Sequence, residues 1–357
     1  MNALEIGSFL EWTASADYYS APLDVPIILP FMRGREFETS YFQNGRNAIE
    51  FLIRHLLETK SIDKVLLPDY ICDSVTDAVR RASAPIKFYH INDDFSIDLD
   101  SIDDDSRAAL YVAHFFGHEP DASTMSFIGN WQARGRIVIE DVTMALLSSA
   151  PYSIGFGDHV LGSLRKWFPI PDGGFVTTVG GSKNPQTLRS DISQYTYFFS
   201  LAQILKREYL DNARRGIVDG ELKEFYLELY RKSTDAAFSD FTIRPMCEPA
   251  FNYLRRCEFD PIVRVRLENY NFLAKGLAAI DKVRVKLEKL PRGAVPFGLI
   301  IECERRDELQ KFLIDREIYC AIHWRTTKLG RNLLTIPCDQ RYGVGDMQRI
   351  VDAIAGW

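Results

Sequence analysis

From about residue 44 to 180 the chain alternates short β-rich runs with amphipathic helical patterns, and this alternation restricts the fold more than any other feature. "NAIEFLIRHLLE" repeats Ile49, Leu52, Ile53 and Leu56 at helical spacing, and "SVTDAVRRA" sets Val75, Ala78 and Val79 on one stripe. The runs "KVLLP", "IKFYHI", "AALYVAHF" and "RIVIED" are strand candidates. Two more, "HVLGS" and "GGFVTTV", lie close enough together for a hairpin or paired strands. Such an order predicts an α/β fold with a mainly parallel sheet covered by helices on both faces. Ligands of such sheets sit beyond the carboxyl ends of the strands. His114, Asp141 and Ser163 fall at those ends.

Residues 190 to 245 read as mostly helical and rich in charges and aromatics. From about residue 255 the pattern changes to helix, strand and helix, closing with a helix that puts Met347, Ile350, Val351 and Ile354 on one face. This predicts a large domain over residues 30–250 and a small α+β domain over 251–357, joined by residues 1–29. A length of 357 residues accommodates both.

Composition narrows the function. The net charge of −6 and the absence of any extended basic cluster argue against nucleic acid or an anionic membrane as partner. No apolar run reaches the roughly 18 residues of a membrane span, and "MNALEIGSFLEW" lacks the basic start of a signal peptide. The six cysteines form no C-x-x-C pair and the six histidines no H-E-x-x-H, so neither a disulfide framework nor a metal site is expected. A cytoplasmic protein without a metal is the expectation.

Two charged residues stand out. Asp141 ends the apolar strand of "RIVIEDVTMAL", and Lys166 follows 25 residues later in "SLRKWFPIPDGG". A strand-end aspartate also caps turns, and a lysine past a strand is ordinarily solvated. Together they match what pyridoxal phosphate demands: a lysine to form a Schiff base and a carboxylate to keep the pyridine nitrogen protonated. A phosphate cradle is at hand in "QNGRNAIEF", where Gly45, Arg46 and Asn47 open a helix whose free amides suit an anion. Ser163, three residues before the lysine, adds a hydroxyl.

In order, spacing and flanks these pieces resemble fold-type I pyridoxal phosphate enzymes, and most closely the DegT/DnrJ/StrS sugar aminotransferase family. The stretches that carry the resemblance are "NGRNAI", "VLLPDYICDSV", "YVAHFFG", "VIEDVTMAL", "GDHVLGSLRKWFPIPDGGFV", "NYNFLAKGL" and "AIHW…LTIPCDQRYGVGDMQRI". The resemblance implies Lys166 as the Schiff-base lysine and Asp141 as the pyridinium partner. It puts Gly45, Arg46, Asn47 and Ser163 at the phosphate, and Tyr70 or Cys72 over the cofactor ring. His114 falls on a loop lining the cofactor cleft, and His323 and Trp324 near the entry of substrate. The activity implied is transfer of an amino group from a donor such as L-glutamate to a keto acceptor, a nucleotide-linked keto sugar, by a homodimer. The same scaffold also supports elimination or decarboxylation, and a cofactor-binding regulator is a further alternative.

Three positions depart from the family pattern. Met144 stands where a Gln or His would bond the cofactor's phenolic oxygen, Leu161 stands where a phosphate-contacting serine is usual, and "RKWFPIPDGG" differs from the common loop after the lysine. These changes bear on substrate choice more than on cofactor binding.

Overall fold

The computed structural model describes residues 4–11, 26–179 and 192–357. The chain begins with β1 (Ile6–Gly7), β2 (Phe37–Phe42), α1 (Gly45–Glu58), β3 (Lys64–Pro68), α2 (Asp73–Arg81) and β4 (Ile86–Tyr89). It continues through β5 (Ala108–Ala113), α3 (Ala122–Ala133), β6 (Val138–Asp141), β7 (His159–Ser163) and β8 (Gly174–Val179). Four helices follow: α4 (Gln194–Arg214), α5 (Gly220–Ser239), α6 (Glu248–Arg256) and α7 (Phe259–Leu277). The last elements are β9 (Arg284–Val285), β10 (Leu299–Glu302), α8 (Arg306–Ile314), β11 (Ile318–Tyr319), β12 (Leu333–Ile336) and α9 (Val344–Ala355).

Seven strands make one sheet in the order β2-β8-β7-β6-β5-β3-β4. β8 runs antiparallel to both of its neighbours, and the other pairings are parallel. The carboxyl ends of β5, β6 and β7 therefore share one edge, as the alternation predicts. Strand β5 reads as an almost unbroken apolar run, and all four residues of β6 are buried, Glu140 and Asp141 included, because both faces of the sheet are covered here. On one face Ile49, Leu52 and Ile53 of α1 and Val75 and Val79 of α2 pack on Val65, Leu67 and Ile139. On the other, Ile128 and Trp131 of α3 meet Leu66, Leu110 and Val138. Each such buried side chain contributes about 1.5–3 kcal/mol relative to exposure.

A further core surrounds Trp167 and Phe168, both fully buried, and takes in Ala250, Phe251 and Leu254 of α6. Helices α4 and α5 form an antiparallel pair joined by Tyr195, Phe199, Tyr226 and Tyr230. The chain after α6 has its own core, in which α7, α8 and α9 pack on the antiparallel sheet β12-β10-β9. β1 pairs in parallel with β11 and buries Ile6 in that core. Of the expected 1–29 junction the structure describes residues 4–11 and 26–29, and Ile27 and Leu29 pack in the core around Trp167 instead; residues 1–3 and 12–25 lie outside the described residues. Among the described residues no helix is long and apolar enough to cross a membrane, and no His/Cys/Asp/Glu group could hold a metal ion.

Candidate active site

The strand ends meet the first turn of α1 at a cavity lined by Gly45, Arg46, Cys72, His114, Asp141, Ser163 and Lys166, all of them expected from the sequence. Asp141 is held by two neutral donors. The Tyr111 hydroxyl donates to Oδ2 at 2.7 Å and the Thr143 amide donates to Oδ1 at 2.8 Å. No cation pairs with it among the described residues, so its charge remains to be matched by whatever enters the cavity.

Lys166 ends a single 3-10 turn, Leu164–Lys166, that begins directly after β7. Its neighbours are locked. Trp167 donates from Nε1 to the Thr143 carbonyl at 2.7 Å, and its own carbonyl accepts from Gln340 at 2.7 Å. The Thr143 hydroxyl also accepts from the Ser163 amide at 3.2 Å. One threonine thus ties the aspartate strand to the lysine turn. Lys166 forms no ion pair or hydrogen bond with the described residues.

The anion end is built by close approach. Gly173 has φ +132°, and a Cβ on Gly174 would lie 2.3 Å from the Asn44 carbonyl carbon. Only a glycine lets β8 start so near the head of α1. Asn44 caps that helix, its side chain accepting from the Asn47 amide at 3.0 Å, which leaves the Gly45 and Arg46 amides without intrahelical partners. Burial lowers the Arg46 guanidinium from its ordinary pKa, and the Arg81 and Arg165 charges push the same way. The Tyr195 hydroxyl, on a residue 6% exposed, has no hydrogen-bond partner among the described residues and lines the same space. The Arg46 guanidinium, free amides and an orphaned hydroxyl together suit an oxyanion.

The remaining expected residues are distributed unevenly. Asn47 does not line the cavity; it is buried, and its Oδ1 accepts from the Arg244 amide. Tyr70 turns into an aromatic cluster with Phe95, Phe115 and Trp324, 4.5 Å from the Trp324 ring centroid. Of the expected Tyr70, Cys72, His323 and Trp324, it is Cys72 and Trp324 that line this cavity. His114 is held on both ring nitrogens, by Glu140 at 2.8 Å and Tyr152 at 3.0 Å. His323 faces a second cavity, also lined by Lys166, and bonds the Thr335 hydroxyl at 2.6 Å. Burial and the Lys166 ammonium lower its pKa to about 3. Met144 and Leu161 line the first cavity as apolar wall.

Sequence reasoning missed Tyr111, Thr143, Arg165 and Tyr195. Tyr111 lies two positions before the end of β5 and Thr143 two after Asp141, so strand alternation and an Asx-type turn were available as signals. Arg165 and Tyr195 carry no local signal.

No family model matches the chain, and no curated protein matches it. Solved structures do. DesV from S. venezuelae is similar with a TM-score of 0.59 and 18% identity over 89% of this chain and 84% of that one. DesI, solved in the presence of its TDP-sugar product, aligns with a TM-score of 0.61 and 15% identity over 91% and 81%. The sugar aminotransferase CalS13 from Micromonospora echinospora aligns at 0.58 and 15% over 89% and 87%. The chain has the fold of these aminotransferases.

Proposed function

We propose that this chain is a pyridoxal phosphate-dependent aminotransferase of the DegT/DnrJ/StrS type, acting on a nucleotide-linked keto sugar. One observation carries the reading: Lys166 and Asp141, without an ion-pair partner among the described residues, line one cavity beside an anion-ready helix start. The residues present fit the cofactor. When bound, it supplies an aldehyde that takes up an amine and a ring that accepts the electrons left by a departing α-proton. Asp141 holds a proton on the ring nitrogen, kept in place by Tyr111 and Thr143. The Gly45 and Arg46 amides and the Ser163 hydroxyl bind the phosphate. Lys166 Nζ would hold the cofactor's aldehyde carbon and, once displaced by the substrate amine, would take and return the substrate's α-proton. Cys72, Trp324 and His114 enclose the ring, and Met144 leaves the phenolic oxygen without a protein partner from that position.

The acceptor class rests on DesI, which was solved with a TDP-sugar product. The donor is L-glutamate in this reading. The working form is a cytoplasmic homodimer, with residues 30–250 as the cofactor-binding domain and 251–357 plus the N-terminal segment as the smaller one. The apolar core that joins Ile6 to Leu273, Leu299, Leu309 and Ile350 supports the smaller unit, although Ala294 and Val295 pack in the core around Trp167. The test is a half-reaction. Cofactor-loaded protein mixed with L-glutamate alone should release one equivalent of 2-oxoglutarate and shift the cofactor's absorbance, and a nucleotide-linked keto sugar should restore it. Protein that no common amino donor converts would contradict the reading.

A further inference from the structure

Lys166 and Arg165 also line a second cavity of about 460 Å3, within the roughly 300–1,000 Å3 of small-molecule sites. Its walls include Phe9, Leu10, Phe199, Gln203 and Phe297. Three arginines reach it, and two are already satisfied. Arg341 pairs with Asp339 at 2.7 Å and Glu11 at 3.1 Å. Arg266 donates to Gln340 and to the carbonyls of Pro296 and Phe297.

Arg165 differs. Its guanidinium lies 4.8 Å from the Phe199 ring centroid and 5.7 Å from that of Phe9. Its Nε is buried without a hydrogen-bond partner, and among the described residues it makes no ion pair. Gln203 uses its amide nitrogen on the Leu10 carbonyl at 2.9 Å and leaves Oε1 buried and unpaired. An orphaned charged donor and an orphaned acceptor on one cavity are costly unless a ligand satisfies them.

We propose that Arg165 is the carboxylate-binding residue of this second cavity, gripping the α-carboxylate of an amino-acid donor beside Lys166, with Gln203 Oε1 accepting from a second polar group of the ligand. The proposal rests on the aminotransferase reading, because an amino-acid donor is what brings a carboxylate to Lys166. Arg165 also lines the first cavity. The anion there is served by the Gly45 and Arg46 amides, the Arg46 side chain and Ser163. The cation flanked by Phe9 and Phe199 is the one left for the second cavity. A planar guanidinium matches a carboxylate through two parallel N–H donors, which an ammonium does not offer.

The probe is 2-oxoglutarate, which has carboxylates but no amine to transfer, titrated calorimetrically into the cofactor-loaded protein. Arg165→Gln should weaken its binding by about 10- to 100-fold and lower the affinity for pyridoxal phosphate by a smaller factor. Arg165→Lys should fall between wild type and Arg165→Gln. If Arg165→Gln does not fold, Arg165→Lys carries the comparison: reduced affinity supports the assignment and unchanged affinity overturns it. Wild-type affinity for 2-oxoglutarate in Arg165→Gln overturns it, as does a wild type that binds none. A variant that instead loses affinity for pyridoxal phosphate but not for pyridoxal assigns the guanidinium to the phosphate and also overturns it. Arg165-dependent binding in a protein that makes no 2-oxoglutarate from L-glutamate keeps the carboxylate site and removes the aminotransferase reading.

Discussion

Asp141 and Arg165 face cavities that share Lys166, yet the first charge is enclosed by hydrogen bonds and the second is not. Tyr111 and Thr143 fix both oxygens of the aspartate before anything binds. Among the described residues Arg165 is steadied by the Phe9 and Phe199 faces and by the charge of the buried Asp172, with no acceptor for its Nε. The difference follows from what each cavity must do. A resident group needs a carboxylate held in one orientation, because reorganisation during reaction costs rate. A substrate that comes and goes needs a charge left open to it. The fixed oxygens of Asp141 suit a group that stays, and the open guanidinium of Arg165 suits one that comes and goes; the Tyr195 hydroxyl is an open group of the first cavity.

The largest expected effect breaks the enclosed side. Asp141→Asn keeps the shape but removes the charge, and turnover should fall by about 3–4 kcal/mol of transition-state stabilisation, by analogy with loss of an oxyanion donor. Steady-state kinetics on folded variant checks this; near-normal rates would make the carboxylate structural.

Tyr111→Phe probes the support rather than the charge. It leaves Asp141 Oδ2 short of a donor and should destabilise the protein by about 1–3 kcal/mol, read as a shift in denaturant midpoint. An unchanged midpoint would mean the hydroxyl is dispensable.

The smallest effect concerns the exchange side. His323 has a pKa lowered to about 3 by burial first and by the Lys166 ammonium second. Its ring should stay neutral at pH 5 by NMR. Lys166→Ala should raise its pKa without restoring the ordinary value of about 6.5, because burial persists. The unfolded chain takes this proton first as pH falls from about 6.5 toward 3, so the histidine contributes to acid instability in that window. A ring that titrates normally would place His323 in solvent.

Much of the enclosed side was legible in the sequence. Helices α1 and α2 were readable because their apolar stripes are the faces they bury, and β5 because a parallel strand covered on both sides reads as an apolar run. In β6 and β7 short apolar pairs, Val138 with Ile139 and Val160 with Leu161, give way to Glu140, Asp141 and Ser163 at the carboxyl ends. Asp141, Ser163 and Lys166 then fall at strand ends by counting. The glycine pair at 173 and 174 was readable as a close approach, though its partner is the backbone at Asn44. Tyr70 and Cys72 show the limit of that reading. Both sit between β3 and the body of α2, and the large aromatic is drawn into the cluster of Phe95, Phe115 and Trp324 while the small thiol stays on the wall. The exchange side had no comparable signal. Phe9, Arg165, Phe199 and Gln203 meet only through the packing of α4 against the N-terminal segment, at sequence separations that no periodicity spans.

The central claim is that Lys166 holds pyridoxal phosphate in the first cavity, and chemical trapping tests it most directly. Purified protein incubated with pyridoxal phosphate and then reduced with borohydride should carry one pyridoxyl group per chain, and peptide mass spectrometry should map it to Lys166. Asp141→Asn should still be labelled there, because attachment needs the lysine rather than the aspartate. A label on any other lysine, or no stable label at all, would contradict the account.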